Sequence, residues 1–204
     1  ITCQKSIEEI NIETALKGIE GKLPLGTKEG NNLLNKLKKC PMGQKGWREF
    51  EVIGSKIFEY LFKDDFNKYT SKEQALGAQG SQRKDLIINN NFKDSASFFG
   101  RIYHDYQAKA IVIDFKNYEN KLTQNEFLIP SKYMNVYVGN FIIVISRFGI
   151  DNSAKKLQKS QFVDGKFMLS LKSLDLIEMI KLKMKGDDPK KILENLLFEI
   201  ISVN

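Results

Sequence analysis

Ala110-Ile111-Val112-Ile113-Asp114-Phe115-Lys116-Asn117 sets an apolar run directly against a carboxylate, an aromatic ring and an ammonium. A continuous apolar run reads as a strand covered on both faces. Side chains two apart on a strand share a face, so Asp114 and Lys116 project together, with Phe115 on the other side. A carboxylate and an ammonium at one end of a buried strand are costly unless something uses them. A bound metal and a scissile phosphate would. About thirty residues earlier, Arg83-Lys84-Asp85-Leu86-Ile87-Ile88 puts a second carboxylate on a second strand-like run.

Outward from these two runs, strands and helices alternate. Residues 47–62 carry an amphipathic helix whose stripe is Phe50, Ile53, Ile57 and Leu61. Glu51 lies on a neighbouring row that edges this buried face. Residues 64–82 are polar and read as a loop, 84–90 as a strand, and 98–103 as a further strand. Residues 124–137 read as a helix interrupted at Pro130, and Phe141 to Ser146 as a fully apolar strand. A helix over 152–160, a strand over 166–170 and a helix over 173–185 follow. Asp188-Pro189 then supplies an N-cap and a first-turn proline for a last helix ending near Ser202. The alternation predicts an α/β fold, a three-layer sandwich with a central mixed β-sheet flanked by helices. Glycines and Pro24 between Gly21 and Asn32 read as a linker, with a short helix from Asn32 to Lys39. This divides the chain into an N-terminal helical appendage or linker, 1–31, and a main domain, 32–204.

The 204 residues are enough for one domain with a normal core. The net charge of +7 favours an anionic partner, nucleic acid first. Nearly all of the positive charge is lysine; the arginines are Arg48, Arg83, Arg101 and Arg147. Arginine is the better bidentate reader of guanine, so backbone binding is expected over sequence readout. Cys3 and Cys40 make no disulfide framework, which suits a reducing, cytoplasmic setting. With His104 the single histidine, a His/Cys zinc site has too few ligands, while a carboxylate-held hard cation has enough. No apolar run approaches the ~20 residues that span a membrane. The chain begins at Ile1, not methionine, which fits a piece of something longer.

Phosphodiester hydrolysis needs an activated water, charge neutralisation at phosphorus and help for the leaving oxygen. Two converging carboxylates hold Mg²⁺ with some waters left in place. A lysine beside them orients the attacking water, or helps deprotonate it, and stabilises developing charge. Asp85, Asp114 and Lys116 have those identities, and Glu51 is placed to add a ligand. Glu49 is its rival, in a row with Ile53.

This set resembles the PD-(D/E)xK nuclease superfamily, in its Mrr-like branch. The resemblance runs over roughly residues 40–200. It rests on the Phe50-Glu51 helix, the Asp85 strand, Asp114-Phe115-Lys116, and the Ile142-Ile143-Val144-Ile145-Ser146-Arg147 strand. Lys84 stands where many members have proline, Asp114 stands where many have glutamate, and Gln124 is the nearest match to a glutamine that some members carry. The resemblance implies a restriction-endonuclease-like fold and divalent-metal-dependent endonuclease action on DNA, with Mg²⁺ as cofactor and Mn²⁺ able to substitute. It implies Glu51, Asp85, Asp114 and Lys116 as the catalytic set, with Glu51, Asp85 and Asp114 as metal ligands. It also implies a role in restriction or anti-phage defence. The alternatives are a catalytically silent nucleic-acid-binding module on the same fold, and an RNA- or junction-directed nuclease.

Gln82, Arg83, Lys84, Asn117 and Arg147 are the candidate nucleic-acid contacts, each against an ordinary loop or capping role. Lys155, Lys156 and Lys159 share one side of a helix, which suits a DNA backbone or plain solvation equally. Trp47 and the phenylalanines are expected in the core, and His104 on the surface at a strand end. Cutting both strands calls for a homodimer or larger assembly. A free nuclease endangers its host, so a regulatory partner or upstream domain is expected as well.

Overall fold

The computed structural model describes residues 27–76 and 83–202. The chain order is α1 (Thr27–Lys39), α2 (Trp47–Phe62), β1 (Ser71–Leu76), β2 (Arg83–Asn89), α3 (Phe98–Tyr106) and β3 (Ala110–Lys116). Then come α4 (Gln124–Leu128), β4 (Phe141–Ser146), α5 (Asn152–Val163), β5 (Phe167–Lys172), α6 (Ser173–Lys185) and α7 (Lys190–Ser202). The five strands form one mixed sheet in the order β1-β2-β3-β4-β5. β1, β2 and β3 pair antiparallel, and β3, β4 and β5 pair parallel.

Side-chain alternation divides the sheet into two apolar faces. Ile111, Ile113 and Phe115 of β3, with Phe141, Ile143 and Ile145 of β4, pack into one cluster with residues of α1, α2, α3, α6 and α7. Val112, Ile142, Val144 and Met168 take the opposite face, under Phe127 of α4, Tyr133 and Ala154 of α5. The continuous apolar runs of β3 and β4 follow from this double cover. The α/β sandwich is therefore as expected.

Helix α2 rests directly on β3. A Cβ at Gly54 would stand 2.1 Å from the Phe115 ring, so only glycine admits the approach. Phe50, one turn earlier, meets the same ring edge-on at 6.1 Å between centroids.

Several expectations are corrected. Residues 98–103 are helical rather than extended. Ser97 caps α3 by accepting from Gly100 N at 3.3 Å, and the buried Phe98, Phe99 and Ile102 lie at helical spacing. The supposed loop over 64–82 contains β1, a polar edge strand whose pairing with β2 is backbone-driven and leaves no hydrophobic alternation to read. Helix α1 starts at Thr27, inside the stretch expected to be linker, and Thr27 and Gly30 are buried. The appendage expected over 1–31 otherwise lies outside the described residues. The helix expected over 124–137 ends at Leu128, and Pro130 sits at the start of a tighter turn over Ile129–Tyr133. His104 is exposed as expected, but on α3.

Candidate active site

Asp114 and Lys116 lie on the Val112 side of β3 and point the same way. The Lys116 ammonium stands 2.7 Å from Asp114 Oδ2, and Asp114 is 2% exposed. Burial pushes the Asp114 carboxyl up from its ordinary value, against the pull of Lys116. For Lys116 burial alone would favour the neutral amine, but the charges of Asp114 and Asp85 outweigh it and raise its pKa. Lys116 is therefore an ammonium across the physiological range.

Asp85 arrives from the neighbouring strand at the point where the ladder opens. The β2–β3 pairing runs from Asn89 opposite Ala110 to Leu86 opposite Ile113. One residue on, the Asp85 side chain takes the place of a backbone acceptor, and Phe115 N donates to Asp85 Oδ2 at 2.7 Å. Burial, then the charge of Asp114, push Asp85 up to about 7; Glu51 adds to the push, while the Phe115 N–H and Lys116 oppose it.

Glu51 comes from α2 and is 9% exposed. Together with Asp85, Phe115 and Lys116 it lines a cleft of about 390 Å³. Gly43, Gln44, Trp47, Asn117 and Tyr118 complete the walls. Asp114 lies behind Lys116, outside the lining. Glu49, its rival, is exposed and does not line the cleft. Gln124 is an exposed residue opening α4, also outside the lining.

The cleft thus gathers the Glu51 and Asp85 carboxylates from two elements, with Asp114 behind Lys116, and carboxylate oxygens suit a hard cation. Among the described residues no group of three or more His, Cys, Asp and Glu side chains forms a metal cage. Mg²⁺ keeps several of its waters and binds through one or two carboxylates, so the Asp85 and Asp114 pair fits it without a cage. Burial raises both carboxyls, and the charge of Asp114 raises Asp85 further, a cost that a cation relieves.

No family model matches the chain. The structure resembles restriction endonuclease FokI bound to DNA, with a TM-score of 0.51 and 14% identity, over 90% of this chain and 31% of that one. The fold is restriction-endonuclease-like. A second FokI structure aligns over 78% of this chain with a TM-score of 0.45 and 17% identity. By sequence, 140 residues are 26% identical to the "Putative transposon gamma-delta 80.3 kDa protein" of Escherichia coli (strain K12). That match covers 69% of this chain and 19% of the relative, so the chain spans about a fifth of that protein's length.

Within this restriction-endonuclease-like fold, two expected nucleic-acid contacts turn inward instead. Arg147 is 6% exposed, and its guanidinium donates to Leu37 O, Cys40 O and Asn117 Oδ1 at 3.3, 2.9 and 2.6 Å. It neutralises the C-terminal end of α1 and is spent there. Asn117 is buried, and its amide donates to Pro41 O and Gly43 O, both at 2.9 Å. These two side chains fix the loop from Cys40 to Gly46, which forms one wall of the cleft. Lys84 is also buried, its ammonium 6.0 Å from the Tyr133 ring, and burial lowers its pKa. It is too deeply placed to follow a phosphate backbone. Gln82 lies outside the described residues, and Arg83 opens β2. Lys155 and Lys156 of α5 are exposed and Lys159 is partly so.

Trp47 was expected in the core. It is 36% exposed and lines the cleft. The signal was present: Trp47 stands three residues before Phe50, at the first position of α2. Tyr118, at 40% exposure, lines the same cleft two residues after Lys116.

Proposed function

We propose that the chain is a divalent-metal-dependent endonuclease that hydrolyses DNA phosphodiester bonds in the cleft between α2 and the ends of β2 and β3. One observation carries this reading: Glu51, Asp85 and Lys116 line a single cleft, with Asp114 paired to Lys116 behind it. The DNA-bound state of FokI and the transposon name of the sequence relative favour DNA as the polymer. The order of the motifs supports the Mrr-like branch and, with it, a role in restriction or anti-phage defence.

Mg²⁺ or Mn²⁺, held by Asp85 and Asp114 with Glu51 near, would polarise the phosphate and lower the pKa of a bound water. The protein's own groups account for the rest. Asp114 keeps Lys116 protonated, so Lys116 serves as a fixed cation rather than a base. It orients the attacking water and faces the negative charge that gathers on the phosphoryl oxygens. The Phe115 N–H holds the Asp85 carboxylate in place.

The test is cleavage of supercoiled plasmid and of single-stranded circular DNA with Mg²⁺ or Mn²⁺ by the parent and by Lys116→Ala. Metal-dependent cleavage that falls at least about 100-fold in the variant supports the assignment. Equal cleavage by both proteins, or a parent that neither cuts nor binds the metal, refutes it.

A further inference from the structure

The same cleft carries two features that phosphodiester chemistry does not need. Trp47 and Tyr118 both line it, from different elements, and are 36% and 40% exposed. Trp47 opens α2, and Tyr118 follows β3. Neither belongs to the two buried apolar clusters. The exposed Arg48 sets its guanidinium carbon 5.0 Å from the centre of the indole ring, and Lys45 is exposed on the same loop edge. Two aromatic faces, bordered by cations and opening onto a carboxylate–lysine centre, make a stacking platform for bases beside a phosphate site.

In a duplex the bases stack on one another inside the helix, and their π-faces are unavailable to such rings. An unpaired nucleotide offers its face freely. Among the described residues, the lining holds no cation besides Lys116, and Arg147 is turned inward. The contact that these two rings offer is the stacking of one or two unpaired bases.

Resting on the nuclease reading above, we propose that the site takes single-stranded DNA, with unpaired bases beside the scissile phosphate stacked on Trp47 and Tyr118. The substrate class is then single strands and the unpaired stretches of flaps and gaps. Arg48 and Lys45 meet the adjoining phosphates.

Trp47 is the chain's single tryptophan, so its fluorescence reports directly on this wall. Oligothymidylate and a blunt duplex of equal length are titrated into the parent in EDTA and into Lys116→Ala with magnesium. Saturable quenching by the single strand, with none by the duplex, is expected in at least one condition. Tyr118→Ala should weaken single-strand affinity about tenfold or more, and Tyr118→Phe should restore it. Equal quenching by duplex, no quenching in either condition, or full affinity in Tyr118→Ala overturns the proposal. The readout is separate from cleavage. A parent that binds single strands this way but neither cuts nor binds the metal refutes the nuclease reading and leaves the stacking platform standing.

Discussion

The two ends of the parallel strands solve opposite problems. At the N-terminal ends of β4 and β5, Phe141 and Phe167 stack with planes 4° apart and centroids 5.6 Å apart. Phe98 meets Phe141 edge-on, and Tyr106 lies against Phe167 at 4.9 Å. That end contributes burial and ring packing and little else. At the other end β3 and β4 finish in Asp114, Lys116, Ser146 and Arg147, all but Lys116 buried. Buried charge there costs desolvation that pairing only partly offsets. One end of the sheet holds the fold together, while the other spends part of that stability on holding a charged constellation in place.

The largest effect that would break this contrast is at the aromatic end. Phe141→Ala should lower stability by about 3–5 kcal/mol in urea unfolding. A loss under about 1 kcal/mol would mean that the stacked rings are not the mainstay. Next is Arg147→Met, which keeps an unbranched apolar stem and removes the donors. It leaves Leu37 O, Cys40 O and Asn117 Oδ1 without their partner, and should cost about 2–4 kcal/mol. Plasmid nicking should fall with it, since the loop wall of the cleft loosens. Wild-type nicking in a destabilised variant would separate the wall from catalysis.

The smallest effect sharpens the contrast instead. Asp85 is pushed up to about 7, so in the metal-free fold it binds a proton that the unfolded chain has released. Its contribution is fully present below pH 4 and is lost as pH rises through about 7. Asp85→Asn keeps an acceptor for the Phe115 N–H and cannot ionise. In metal-free buffer its melting temperature should gain on the parent, and the gain at pH 8 should exceed that at pH 5, by about 1–3 kcal/mol in stability. A pH-independent difference would place Asp85 in a more solvated setting than the structure shows.

How much of this was legible follows physical lines. The strands β3 and β4 and helix α2 were readable because burial on both faces, or on one helical stripe, dictates a long apolar pattern. Asp114 and Lys116 were readable because charge at the end of such a run has few structural reasons. Strand β1 was not, since an edge strand held by backbone pairing leaves no side-chain pattern. Helix α3 was misread because Phe98, Phe99, Ile102 and Tyr103 have strand-like propensities; the Ser97 cap and the tertiary packing outweigh them. The inward turn of Arg147 was equally hidden. Its partners are carbonyls about 110 residues away in sequence, and no local motif announces them.

The absent side chain at Gly54 has a consequence of its own. Because α2 touches Phe115 with no intervening atom, the helix and β3 behave as one casting across the layer boundary. Glu51 rides on that helix, and Phe115 sits between Asp114 and Lys116. The missing methyl therefore works as a spacer gauge. It transmits the depth of a hydrophobic contact into the alignment of three charges that it never touches.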